Sequence, residues 1–266
     1  MELFAIFGGV EWGSIDTTKE PFELIKKLVL DDYTYIRNDI SDMTTGMPLY
    51  HAILTGIAMG DGRTHSAFKK ANVTHEVGMQ AVNELCELGV IRVEESRKKF
   101  TSWAEDYKIS DKLFFNAPFI RFWFAFVSPL FKGIKDGDYK EVQERFANRR
   151  ADFVNLVFEQ LSLELLKLEF KDDPIIESGS YWDRAVEIDI YAKTASGKII
   201  VGTCRYSNSK IKKSELTKLQ EKCATANIEP DIYLISSKKG FSSELKSLKG
   251  ENLKLFTLKN FKSMIE

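Results

Sequence analysis

The 266 residues include only three cysteines, three histidines and six prolines. Cys86, Cys204 and Cys223 stand far apart, each inside a segment patterned as helix or strand. Their spacing suits neither a zinc site nor a disulfide framework, which excludes a small stapled fold and points to a reducing cytoplasm. His51, His65 and His75 share no metal-ligand spacing and pair with no nucleophile. No run of about 18 apolar residues occurs, so no membrane span is expected. The start, "MELFAIFGGVEWGSID", lacks the basic region and cleavage site of a signal peptide. A G-x-S-x-G elbow is missing. So is G-x-x-x-x-G-K-[ST], and "MGDGRTHS" lacks the lysine that a phosphate-cradling loop uses. Nucleotide hydrolysis and a nucleotide partner are therefore not expected. No fixed-period repeat or low-complexity tract stands out.

Hydrophobic residues make up 44% and charged residues 29%, an ordinary globular balance. The length suits one large domain or two smaller ones with a real core. The net charge of −1 hides an asymmetry. Met1 to Pro48 carries 4 basic against 9 acidic residues, whereas Lys193 to Glu266 carries 15 against 7. A basic end on a neutral chain fits a polyanionic partner, and it equally fits a solvated lysine-rich face.

Four segments follow from the pattern. Residues 1–48 form a helical segment with one good helix, "EPFELIKKLVL", in which Phe22, Ile25, Leu28 and Val29 make an apolar stripe. "SDMTTGMP" reads as a loop. Residues 49–115 give three helices and a β-hairpin. Tyr50, Ile53, Leu54, Ile57 and Ala58 keep helical spacing until "GDG", and a short helix runs through Phe68 and Ala71. Thr74 caps "HEVGMQAVNELCEL", with Val77, Val82, Leu85 and Leu88 expected inward and Gly89 at its end. "VIRVEE" is a strand, followed by the basic "SRKKF". This is the layout of a winged helix-turn-helix, and "ELCELGVIRVEE" resembles the passage from recognition helix to wing.

On that helix His75, Glu76, Met79, Gln80 and Asn83 are the exposed candidates, and Gln80 and Asn83 suit adenine edges. It carries no arginine or lysine, and Glu76, Glu84 and Glu87 repel phosphate. Backbone contacts would fall to Lys69 and Lys70, to Arg97, Lys98 and Lys99 in the wing, and to Lys212 and Lys213 in the basic C-terminal segment. Residues 116–148 hold an aromatic connecting helix, with Phe119, Phe122, Trp123 and Phe126 at core spacing. Stacking bases would need them exposed. Arg121 would hold a carboxylate or a helix end.

Residues 149–266 turn α/β: a long helix, the strands "AVEIDIYAK" and "KIIVGTCRY", a helix with Leu216, Leu219 and Cys223 inward, then "DIYLIS", "FSSELKSL", "LKLFTL" and "KNFKSMI". An extra strand near "PIIES" stays open. A strand, a helix and a further buried strand imply a parallel crossover and a mixed central sheet. Glu187 and Asp189 share one strand face. Phosphodiester cleavage needs hard divalent cations, which carboxylates hold, and a positive group near the developing charge.

This α+β order resembles the PD-(D/E)XK nuclease fold. The resemblance implies catalytic roles for Asp189, the core acid, Glu187 in "EIDI", Glu159 on the long helix and Arg205. Asp189 and Glu159 would hold a metal, Mg or Mn. The second strand should read Glu-x-Lys; it reads Thr203-Cys204-Arg205. Thr203 supplies no anionic ligand, and a guanidinium is always charged and shaped unlike an ammonium. Across the chain, "FAIFGGV", "YHAILTGIAMG…ELCELGVI", "RFWFAFVSPLFKGI", "FVNLVFEQL" and "EIDIYA…GTCRY" are together similar to the C-terminal half of the archaeal-type ATPase family. That half is a winged helix plus a nuclease-like domain of unknown function; the ATPase domain is missing here, and residues 1–48 resemble a remnant of its lid. Asp189 and Glu187 could instead be an ordinary strand edge, or pair with Arg184 or Arg205.

Three functions remain. The first is a DNA-binding protein with a degenerate, weak or inactive, nuclease-like domain. The second is an active Mg- or Mn-dependent nuclease. The third is a regulatory subunit that docks on another protein, such as a separate ATPase, or on a second copy of this chain.

Overall fold

The structure is a computed structural model that describes residues 1–98 and 109–264. The chain is mixed α+β and divides into two compact units. One comprises Met1–Glu95 and Ser110–Phe153; the other holds the remaining described residues. The division falls inside one helix, Lys140–Glu169.

The first unit opens with α1 (Glu2–Phe7), α2 (Pro21–Ile25), which passes into a π-helical turn at Lys26–Leu30, and α3 (Tyr33–Met43). The one helix expected before residue 48 is therefore one of three. Only Tyr33 and Ile40 of α3 are buried, so no apolar stripe announces it. The stripe of α2 also shifts. Leu24, Ile25, Val29 and Leu30 are buried, because a π turn spends five residues where an α turn spends about four.

Next come α4 (Pro48–Ala58), α5 (Thr64–Ala71) and α6 (His75–Glu87), then β1 (Ile91–Glu94) and β2 (Lys112–Phe115), paired antiparallel. The Thr74 hydroxyl caps α6 by accepting from the Val77 N–H, and Gly89 ends it at φ +71°. Val82 and Leu85 are fully buried as read, but Val77 and Leu88 are 45% and 43% exposed. The inward stripe starts one residue later, at Gly78, and runs through Ala81, Val82 and Leu85. It starts at a glycine because the Phe68 ring of α5 lies there: a Cβ at Gly78 would stand 2.6 Å from it.

The aromatic segment is α7 (Pro118–Phe122), extended by a π turn at Trp123–Val127, then α8 (Phe131–Lys135). Phe119, Phe122, Trp123 and Phe126 are all buried, as their spacing predicts. Phe126 packs edge-on to Phe146 and Phe153, with centroids 5.4 and 5.1 Å away. Arg121 is buried beside them. It donates to the carbonyls of Ala58, the last residue of α4, at 3.1 Å and Phe153 at 2.8 Å, and its guanidinium lies 4.2 Å from the Phe153 ring centroid. The helix-end role holds.

The long helix α9 (Lys140–Glu169) begins nine residues before its expected start at Arg149; its first turns are mostly charged, with only Val142 and Phe146 turned inward. The second unit continues with β3 (Ile175–Trp182), β4 (Glu187–Thr194), β5 (Ile199–Arg205), α10 (Lys213–Thr225), β6 (Ile232–Ser237), α11 (Ser243–Ser247) and β7 (Leu253–Thr257). The sheet order is β3-β4-β5-β6-β7. The first three strands form an antiparallel meander, and β6 and β7 then add parallel to β5, joined through α10 and α11. The strand left open near "PIIES" is β3. The last helix expected, "KNFKSMI", is a 3-10 turn at Asn260–Met264. β5 is buried along almost its whole length, as a central strand covered on both faces should be. Leu219 and Cys223 of α10 pack on Tyr191 and Val201 of the sheet.

Candidate functional site

β4 and β5 bring the chemistry together. Ile190 pairs with Gly202, which sets Asp189 beside Thr203. The strands leave no room at the pairing point: a Cβ on Gly202 would meet those of Leu234 and Ile190 at 3.1 and 3.2 Å. Asp189 Oδ2 accepts three hydrogen bonds: from the Thr203 hydroxyl at 2.9 Å, the Cys204 N–H at 2.8 Å and Arg205 Nη1 at 3.3 Å.

Arg205 reaches further. Its Nε donates to Glu215 Oε2 at 3.2 Å, and its Nη1 also donates to the Cys204 carbonyl at 2.9 Å. Lys218 Nζ donates to Glu215 Oε1 at 2.8 Å. Charges of alternating sign thus run from β4 through β5 onto α10. The carboxylates are mostly buried while the Arg205 side chain is 37% exposed, so the guanidinium closes the network at its solvent edge. Burial alone would raise the pKa of Glu215. The Lys218 hydrogen bond and the Arg205 charge outweigh it and hold the carboxyl below its usual range.

Glu159 is half-buried on α9 and accepts a 2.5 Å hydrogen bond from Asn155 Nδ2. Asn155 Oδ1 in turn accepts from the Tyr206 N–H at 2.8 Å, tying the helix to the end of β5. Cys204, whose N–H reaches Asp189, is wholly buried. Burial, then the charges of Asp189 and Glu159, push its thiol well above the usual range, so it is no nucleophile. Glu187 sits exposed at the start of β4, opposite Trp182; its carbonyl accepts from Lys222 Nζ at 2.7 Å.

The structure therefore joins Asp189, Thr203 and Arg205, ties Glu159 to Asn155 on α9, and leaves Glu187 at the strand start. Sequence reasoning missed Glu215, Lys218 and Asn155. Glu215 and Lys218 stand three apart in "KKSELTKL", an ion-pair spacing on a helix, but nothing local tells that Arg205 of a separate strand lies beside them.

Among the described residues no three His, Cys, Asp or Glu side chains group closely enough to hold a metal ion. A hard divalent cation asks for several anionic oxygens. Here Asp189 meets a hydroxyl, an amide and a guanidinium instead.

The basic and polar candidates divide between the units. In the first, Lys69, Lys70, His75, Gln80 and Asn83 are exposed on α5 and α6. Lys70 Nζ also donates to the Gly56 carbonyl at 3.1 Å, and the His75 ring stands edge-on to Phe68. Arg97 and Lys98, read as wing residues, cluster with the second unit: the Arg97 N–H donates to the Ser180 carbonyl, and Lys98 Nζ lies 3.5 Å from Asp183 Oδ2. Lys99 lies outside the described residues. Lys212 and Lys213 are exposed at the start of α10, and Lys213 pairs with Glu244 at 3.4 Å.

The profile of the DUF234 family, described as "Archaea bacterial proteins of unknown function", matches residues 123–219. This stretch is less than half of the chain, but it contains Asn155, Glu159, Asp189, Thr203, Arg205 and Glu215. No curated protein and no solved structure matches the chain. Among the described residues no helix is long and apolar enough to cross a membrane.

Proposed function

We propose that this chain is a DNA-binding protein built from a winged helix and a nuclease-like unit that has lost cleavage. The observation that carries the reading is the ion pair between Arg205 and Asp189. Strand acids converge on metal ions in the PD-(D/E)XK arrangement. In this chain the acid expected at Thr203 is absent, and a guanidinium stands on the one that remains. A fixed cation at 3.3 Å repels a second cation while preserving the fold around the carboxylate.

The order helix, three-stranded antiparallel meander, helix, parallel strand supports the nuclease-like assignment of the second unit. Three helices followed by an antiparallel strand pair, with a capped third helix exposing His75, Gln80 and Asn83, support the winged-helix assignment of the first. The excess of lysine after residue 193 supplies the charge for phosphate contact. In this reading Arg205, at the solvent edge of its network, meets a phosphate while it holds Asp189.

The test is cleavage and binding measured together. Purified protein is incubated with duplex and single-stranded DNA, with Mg²⁺ or Mn²⁺ present. The reading expects salt-sensitive binding with intact DNA, unchanged in the Asp189→Ala variant. Cutting that disappears in Asp189→Ala would establish the active nuclease instead. Absence of binding to either DNA at low salt would reject both.

A further inference from the structure

Strands β5 and β6 run parallel and end level: Arg205, the last residue of β5, pairs with Ser237, the last of β6. The loops that follow therefore leave the sheet at the same end, and they are joined there. The Lys238 N–H donates to the Arg205 carbonyl at 3.2 Å, the Ile211 N–H to the Gly240 carbonyl at 2.9 Å, and the Ser242 N–H to the Ile211 carbonyl at 2.8 Å. Ile211 and Phe241 share one buried cluster with Leu216 of α10 and Ile235 of β6, which anchors both loops.

What the loops carry is of one sign. Arg205 to Ser214 holds four basic residues and no acid; Ser236 to Ser243 holds two basic residues and no acid. Lys210, Lys212 and Lys239 are exposed, stand next to the joined residues Ile211 and Gly240, and enter no ion pair among the described residues. The acids that follow each loop are already matched: Glu215 by Arg205 and Lys218, Glu244 by Lys213 at 3.4 Å. Like charges held together repel one another and concentrate counter-ions, so the joined loops favour a polyanion.

The apolar residues decide which kind. Unpaired bases stack on exposed rings. Here Tyr206 and Phe241 are buried, and the Lys238 ammonium lies 4.3 Å from the Tyr206 ring centroid. Within either loop no large apolar side chain is exposed, so the wedge of a bilayer-inserting segment is missing. Charge with neither ring nor wedge suits a phosphate backbone whose bases are already paired.

We infer that these two loops form the duplex contact of the second unit and hold the phosphate backbone without regard to sequence. The inference rests on the DNA-binding reading above and adds to it the surface, the duplex form and the lack of base readout. Arg205 opens the first loop, so a duplex held here passes the Asp189 network.

The test titrates two labelled duplexes of unrelated sequence, and a single strand of equal length, at several salt concentrations. Three proteins are compared: the unaltered chain, the loop variant Lys210→Gln/Lys212→Gln/Lys239→Gln, and the control Lys171→Gln/Lys198→Gln/Lys249→Gln. The control removes the same charge from the other end of the sheet. Lys198 precedes β5 and Lys249 precedes the parallel β7; Lys171 lies two residues from Asp173, which accepts from Ser196 in the β4–β5 turn. All six side chains are exposed, and thermal melting checks that both variants fold. The loop variant should bind both duplexes at least about tenfold more weakly, with a log–log salt slope flatter by about 2–3. The control should stay within about twofold of the unaltered chain. Equal weakening in the two variants would reduce the effect to net charge and overturn the inference. An unchanged loop variant would also overturn it and leave the DNA-binding reading standing. Tighter binding of the single strand, a tenfold preference for one duplex, or displacement of the duplex by phosphatidylserine vesicles at equal phosphate would overturn it too. Absence of DNA binding by the unaltered chain would reject the reading itself, and the inference with it.

Discussion

At the residue scale the question is what Arg205 does to Asp189. The pair lies at a partly solvated edge, so its energy is modest and its chemistry matters more. If Arg205 and Thr203 are what exclude a divalent ion, then restoring the acid-x-lysine pattern should readmit one. The double variant Thr203→Glu with Arg205→Lys should gain Mn²⁺-dependent thermal stability where the unaltered chain shows none. At about 100 times the dissociation constant the linkage is ~2.7 kcal/mol, or roughly 5–10 °C for a domain of this size. Differential scanning fluorimetry with and without Mn²⁺ reads it; no metal-dependent shift in the double variant would remove the argument. Glu215 gives a second prediction. Its folded pKa lies below the ordinary 4.5, so its contribution is complete above that value and is lost as pH falls through the folded pKa. Glu215→Gln should therefore be less stable than the unaltered chain near neutrality, and the gap should close as pH falls through the acid range. Urea midpoints at about pH 7 and about pH 3.5 check the sign.

At the element scale, helix contacts that look minor in the sequence decide the packing of the first unit. Gly78 in α6 is an example. Alanine favours a helix over glycine by about 1 kcal/mol, yet its Cβ would stand 2.6 Å from the Phe68 ring. Overpacking costs about 1–3 kcal/mol, so Gly78→Ala should lower stability by roughly 1 kcal/mol. The added change Phe68→Leu should recover part of the loss. If Gly78→Ala alone raises the unfolding midpoint, helix propensity has won and the close approach of α5 and α6 is not tight. Arg121 is a sharper case. Arg121→Ala strips charged donors from two carbonyls, at about 1–3 kcal/mol each, and should be among the most destabilising substitutions in the first unit when assayed by denaturant.

These elements also show what the sequence carried and what it could not. Regular periodicity announced α4, α6, the aromatic core and strands β4 to β7, because each buries an apolar stripe or alternates. The π turns after α2 and α7 shift register without changing composition, and α3 buries too little to be seen. Gly78 faces inward where a pattern search chooses Val77. The site was half legible: Asp189 and the altered Thr203-x-Arg205 stand out on alternating strands. Glu215 and Asn155 do not, since they stand on helices 10 and 51 residues from their partners and only the fold brings them to Arg205 and Tyr206.

At the scale of the whole molecule, the proposed DNA binding draws on basic residues in each unit, with the lysine excess after residue 193. Displacing counterions from DNA makes such binding steeply salt-dependent, with a slope near −0.9 per phosphate neutralised. Substitution of Lys69 and Lys70 together by alanine should weaken binding across DNA sequences alike and flatten the slope by about 1–2. The most direct measurement is fluorescence anisotropy of an end-labelled duplex, titrated with the protein at rising KCl with Mn²⁺ present throughout. The account predicts saturable binding, a log–log salt slope of about −3 or steeper, and a duplex that stays full length. A flat titration at the lowest salt, or an anisotropy that decays as Asp189 cuts the label free, would contradict it.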